Sequence, residues 1–113
     1  MTKLVKNFEI FDKLTQRDFN VEETIELLMR FNPTVFYSWG VEHITNFKNK
    51  GLLLKVNAHH HKERVFIILA WNDTYSFYLM DSENIVIKES HEVYFDELQY
   101  KIDQTIEYID EYK

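Results

Sequence analysis

The spacing of apolar positions changes several times along the chain, and each change marks an element. Leu4, Phe8, Phe11 and Leu14 fall at helical spacing, so residues 1–19 read as a helix or a loosely docked arm. Asn20 has the character of an N-cap with Glu23 in capping-box position. Val21, Ile25, Leu28 and Phe31 then form the apolar stripe of a helix. Asn32-Pro33 closes that helix, because a residue before proline avoids the helical region. Thr34 to Trp39 is β-branched and aromatic and reads as a short strand or a buried extended piece ended by Gly40. Val41, Ile44 and Phe47 fit one face of a short helix that stops at Gly51.

From Leu52 the period is two. Leu52, Leu54, Val56 and Ala58 alternate with Leu53, Lys55, Asn57 and His59, the pattern of a half-buried strand. Arg64 to Trp71 is apolar on both faces and reads as a central strand. Asn72-Asp73-Thr74 is a turn, Tyr75 to Met80 a third strand, residues 81–84 a second turn, and Ile85 to Lys88 a fourth strand with Ile85 and Ile87 facing in. Such short connections require antiparallel neighbours. Phe95, Leu98, Ile102, Ile106 and Ile109 then step by three or four, which predicts a long helix from about Glu92 to Tyr112. The expected fold is α+β. It is an antiparallel four- to five-stranded meander with an N-terminal helix and a long C-terminal amphipathic helix packed on one sheet face.

The length of 113 residues fits a single domain, 1–113. The longest apolar run, Val65 to Trp71, is far short of the roughly 20 residues a membrane-spanning helix needs. The first residues, Met1 to Lys6, do not read as a secretory signal. Without cysteine there is no disulfide framework and no thiol chemistry, so a cytoplasmic location is the expectation. Residues with AT-rich codons dominate, and Lys outnumbers Arg ten to three, which points to a low-GC bacterium or its mobile elements.

Charge changes the picture at one end. The net charge is −6, yet residues 1–88 hold eleven basic and eleven acidic side chains. The surplus lies in residues 89–113. On the predicted terminal helix Glu92, Asp96, Asp103, Glu107 and Asp110 fall within a sector of about 60°. Asp103–Glu107 and Glu107–Glu111 are like-charge pairs that cost about 0.2–0.5 kcal/mol each in an isolated helix. Such a row is either a solvated face or a surface for a basic protein partner. On the second reading Asp96, Asp103, Glu107, Asp110 and Glu111 carry the contact, with Tyr100 beside them.

His59-His60-His61 offers a different chemistry. On a strand His59 and His61 point to one side and form half of a metal site, with His43, His91, Asp73 or Glu63 as third ligand only if the fold brings one near. The alternative function is therefore a small-molecule or metal-binding module built on the aromatic sheet and the His59–His61 segment. Trp39 and Trp71 read as core anchors or ligand-stacking groups. Ser38 and Ser90 each lie near a histidine in sequence but do not form a triad. No Gly-rich phosphate loop and no nucleophile motif is present, so the chain reads as non-enzymatic and without a cofactor. Direct nucleic-acid binding is disfavoured by the balanced charge of the body. A second copy of the chain remains open as a partner.

Leu69-Ala70-Trp71-Asn72-Asp73-Thr74-Tyr75, followed by Val93-Tyr94-Phe95-Asp96-Glu97-Leu98, resembles segments of small uncharacterised proteins carried by phages and other bacterial mobile elements. The resemblance covers the C-terminal half. It implies an accessory protein of such an element and assigns neither an activity nor a functional residue.

Overall fold

The computed structural model describes residues 9–58 and 61–106. Two helices, α1 (Glu9–Leu14) and α2 (Val21–Phe31), open the fold. Asn20 is extended, and its side-chain oxygen accepts a hydrogen bond from Glu23 N at 3.1 Å, so α2 starts where the sequence places it. Five strands follow as β1 (His43–Phe47), β2 (Gly51–Lys55), β3 (Arg64–Leu69), β4 (Tyr75–Met80) and β5 (Val86–Val93). They pair in chain order, every neighbour antiparallel, so the expected meander is the observed one.

Three expected elements differ. Residues 34–39 are not extended. They belong to a helix, α3 (Pro33–Ser38), for which Asn32 is the cap and Pro33 the first residue. Proline loses nothing in a first helical turn, where its missing N–H would have no partner. The same dipeptide that ends α2 therefore starts α3. Residues 43–51 are not a helix but the first strand and turn of the β1–β2 hairpin, which runs on to Lys55. Its turn holds Lys48 and Asn49 at positive φ, braced by Asn49 N to Asn46 Oδ1 at 2.8 Å and Asn46 Nδ2 to Asn49 Oδ1 at 2.9 Å. These side-chain bonds outcompete the helical ladder. The third difference is at the C-terminal side. Glu92 and Val93 are in β5, and the helix α4 (Leu98–Ile106) begins later than expected. Val93 pairs with Tyr75, and Tyr94 N donates to the Glu97 carboxylate at 3.2 Å. Leu98, Ile102 and Ile106 are buried as the stripe predicts, whereas Phe95 is exposed. Ile109 lies outside the described residues.

Strand β3 is the middle strand, and Val65 to Ile68 are buried on both of its faces. One face, with Leu52, Leu54, Val65, Ile67, Phe77, Leu79 and Val93, is covered by α2, α3 and α4. Fully buried Trp39 donates its indole N–H to Asp103 Oδ1 at 3.0 Å. Gln99 Nε2 donates to Leu28 O at 2.7 Å and Asn32 O at 3.1 Å, which ties α4 to carbonyls at the end of α2. The other face is covered by α1. Phe11 lies 4.7 Å from Phe66 and 5.4 Å from Phe47, ring centre to ring centre. Helix α1 thus sits opposite α2, α3 and α4, while α2 and α4 share one sheet face as expected.

Strand β5 carries two irregularities. Between the pairs Leu79–Lys88 and Met80–Val86, Ile87 has no partner on β4. This bulge breaks the alternation, so Ile85 and Ile87 are exposed rather than inward. Between Phe77–Ser90 and Tyr75–Val93, His91 and Glu92 together stand opposite Ser76 alone.

Gly51 shares the α1 face with Phe66, and a Cβ at this position would strike the Phe66 ring. Gly51→Ala is expected to displace the ring that seats Phe11 and to lower stability by about 1–3 kcal/mol, the range for overpacking. Urea denaturation followed by circular dichroism checks this as a lower midpoint at unchanged slope.

Candidate functional site

Helix α1 has six residues and so spans about 9 Å. Among the described residues it covers the centre of its sheet face, where Phe11 meets Phe47 and Phe66, and the end near the β3–β4 turn lies beyond it. There a hollow of about 340 Å³ is lined by Gln16, Ala70, Trp71, Asn72, Thr74, Ser76, His91 and Glu92. Its rim is a loop clamp. The segment after α1 meets the β3–β4 turn through Trp71 N to Gln16 Oε1 at 3.1 Å and through the ion pair of Arg17 with Asp73 at 2.5 Å. Trp71 is 71% exposed, so this indole is a wall of the hollow and not a core anchor.

The floor is polar. Ser76 is on β4, two residues before Tyr78 and on the same face. Its hydroxyl lies 2.9 Å from His91 Nδ1, and His91 Nε2 lies 2.8 Å from Glu89 Oε1. A carboxylate only accepts, so the neutral imidazole carries its proton on Nε2 and turns the Nδ1 lone pair to the Ser76 O–H. The Tyr78 ring stands edge-on to the imidazole at 5.6 Å and 76°. Burial pushes the Tyr78 phenol above its ordinary value of 10, the Glu89 carboxylate adds to the rise, and the Ser76 hydroxyl partly opposes it.

Two side-chain amides at the rim are oriented by their oxygens. Gln16 Oε1 accepts from Trp71 N, and Asn72 Oδ1 accepts from Thr74 N at 3.2 Å and Thr74 Oγ1 at 2.7 Å. Among the described residues neither amide nitrogen has a hydrogen-bond partner. Both NH₂ groups are donors available to a ligand.

The backbone beneath this site is strained. Glu92 lines the hollow at φ 57, in the left-handed region that costs a non-glycine residue about 1–2 kcal/mol. It belongs to the bulge that sets His91 against Ser76. Bulges occur beside binding sites because they re-aim a side chain.

The residues marked in the sequence are distributed differently. Asp96 and Tyr100 are exposed, Tyr100 at 63%. Asp103 is half-buried and accepts the Trp39 indole N–H. Glu107, Asp110 and Glu111, and also His59, lie outside the described residues. His61 is buried, and its Nε2 donates to Arg64 O at 2.8 Å. Among the described residues no group of three His, Asp or Glu side chains is placed to hold a metal ion. Ser38 donates to Val35 O at 2.6 Å, and Ser90 lies opposite Phe77 on the other sheet face from Ser76. Sequence reasoning passed over Ser76. The available signal was a small polar residue at an inward position of an otherwise apolar strand, where burial requires a partner.

No helix among the described residues is long and apolar enough to cross a membrane. No family model, no curated protein and no solved structure matches the chain.

Two outcomes follow from this geometry. Glu92→Gly removes the left-handed strain and is expected to raise stability by about 1 kcal/mol, read from chemical denaturation. Tyr78 has a folded-state pKa above its unfolded one, so its contribution is complete below pH 10 and is lost as pH rises through the folded value. The loss of stability between pH 10 and 11 is expected to shrink in Tyr78→Phe, measured by thermal melts across that range.

Proposed function

We propose that the protein is a small-molecule-binding module whose site is the hollow between Trp71 and Ser76. One observation carries the reading: an exposed indole and two amide groups with engaged oxygens surround a polar floor at one end of the sheet face that carries α1. An exposed tryptophan presents a flat apolar surface, and unpaired amide N–H groups favour carbonyl oxygens. The chemistry that fits is a small, planar, uncharged ring bearing a carbonyl or carboxamide. The acidic-helix reading has less support, because Asp103 is engaged by Trp39 and the exposed acidic members of that row among the described residues, Glu92 in β5 and Asp96 before α4, lie outside the helix.

Nicotinamide, benzamide and uracil serve as probes in a titration followed by the indole N–H signals of the two tryptophans. Binding is expected to shift the Trp71 signal and to leave that of buried Trp39 in place. Stacking on an aromatic side chain contributes about 1–3 kcal/mol, so Trp71→Ala is expected to weaken binding by about 5- to 150-fold. Affinity unchanged in Trp71→Ala, or no shift with any of the three compounds, contradicts the proposal.

A further inference from the structure

We infer that Ser76 is a nucleophile for acyl transfer, with His91 as its general base. The inference rests on the hollow being a ligand site and adds what that site does to the ligand.

The argument begins with proton placement. Glu89 accepts from His91 Nε2–H, which leaves Nδ1 as the acceptor for the Ser76 O–H at 2.9 Å. A hydroxyl, an imidazole and a carboxylate in that order form the relay that activates a serine. In this chain the serine sits on the Nδ1 side and the carboxylate on the Nε2 side, which serves the proton equally well. Both ring nitrogens are fixed, one by a cross-strand bond and the other within β5. The left-handed Glu92 holds the bulge that brings His91 opposite Ser76. Ser76 is only 2% exposed and lines the hollow, with its hydroxyl held against His91 Nδ1.

The substrate class follows from the walls. A small ester with a planar leaving group lies against Trp71 with its carbonyl over Ser76. Ser76 Oγ bonds to the carbonyl carbon while His91 Nδ1 takes the hydroxyl proton. The carbonyl π pair moves onto oxygen, where the NH₂ groups of Gln16 and Asn72 are the donors at hand. Collapse of this adduct breaks the carbon–oxygen bond to the leaving group, which departs with the proton from His91. Water then adds to the acyl group on Ser76 as His91 removes its proton. The acyl–oxygen bond breaks, the carboxylic acid leaves and the Ser76 hydroxyl is restored. Glu89 keeps its charge throughout and orients the imidazole.

The test uses p-nitrophenyl acetate with the full chain. Release of p-nitrophenol is followed alongside intact-protein and peptide mass spectrometry. One acetyl group on the peptide containing Ser76 is expected. General-base assistance is typically worth about 10²–10⁴-fold, so His91→Gln is expected to lose about that factor and Ser76→Ala to abolish the adduct. Because the chain has no cysteine, Ser76→Cys gives a second readout in a background free of other thiols. Its alkylation by iodoacetamide is expected to be at least about tenfold faster than in Ser76→Cys combined with His91→Gln. Acetylation at lysine or tyrosine instead of Ser76, or equal alkylation rates in the two cysteine variants, overturns the inference. A Trp71 shift with benzamide but no Ser76 adduct overturns the acyl transfer and leaves the binding site standing. Neither shift nor adduct overturns both.

Discussion

A strand buried on both faces needs cover on both faces, and the protein meets that requirement unequally. Among the described residues, Val65 and Ile67 of β3 face three helices, while Phe66 and Ile68 face α1. Five strands at about 4.8 Å spacing make a sheet about 19 Å across. Among the described residues α1, Glu9–Leu14, covers only part of its width. The Phe11, Phe47 and Phe66 rings therefore seat α1 at the centre, and the missing side chain of Gly51 makes room for Phe66. Among the described residues a hollow lies beyond the helix, toward the β3–β4 turn. The candidate site lies beyond the point where Phe11 anchors α1 on this two-faced sheet.

Polar groups at the uncovered end then have to satisfy each other. Ser76 is buried and partnered by His91, which is itself held by Glu89, and among the described residues every buried side-chain nitrogen and oxygen has a partner. The strain at Glu92 belongs to this economy, because the bulge lets two residues of β5 face one of β4. Backbone strain persists where the surroundings over-determine it, and it collects at functional sites. The same two devices, an orienting carboxylate and a bulge, fix the one set of contacts on which the proposed binding floor and the inferred role of Ser76 both rest.

The architecture was legible wherever a local rule and the packing agreed. Asn20 and Glu23 started α2, the period-two run gave β2, the run apolar on both faces gave β3, the flanking turns bounded β4, and Leu98, Ile102 and Ile106 marked the buried stripe of α4. It was misread where one residue type serves two roles. Asn32-Pro33 is both a stop and a start, and the aromatic run after it entered a helix. Ile44 and Phe47 fit helical spacing, but the Asn46–Asn49 pair made a hairpin turn between strands. Ile85 and Ile87 fit an inward alternation that a bulge reverses. The site was less legible still. Trp71 was visible as an aromatic and His91 as a histidine, yet their joining with Ser76 depends on β4–β5 register, and a bulge hides register from a periodic pattern.

The central claim is that the open end of the α1 face receives a small planar carbonyl compound. Intermolecular nuclear Overhauser effects from bound nicotinamide test it most directly. The account predicts contacts to the Trp71 indole together with the Ser76 β-protons, from one bound molecule. Contacts confined to another surface, or to Trp71 with none to Ser76, would contradict it.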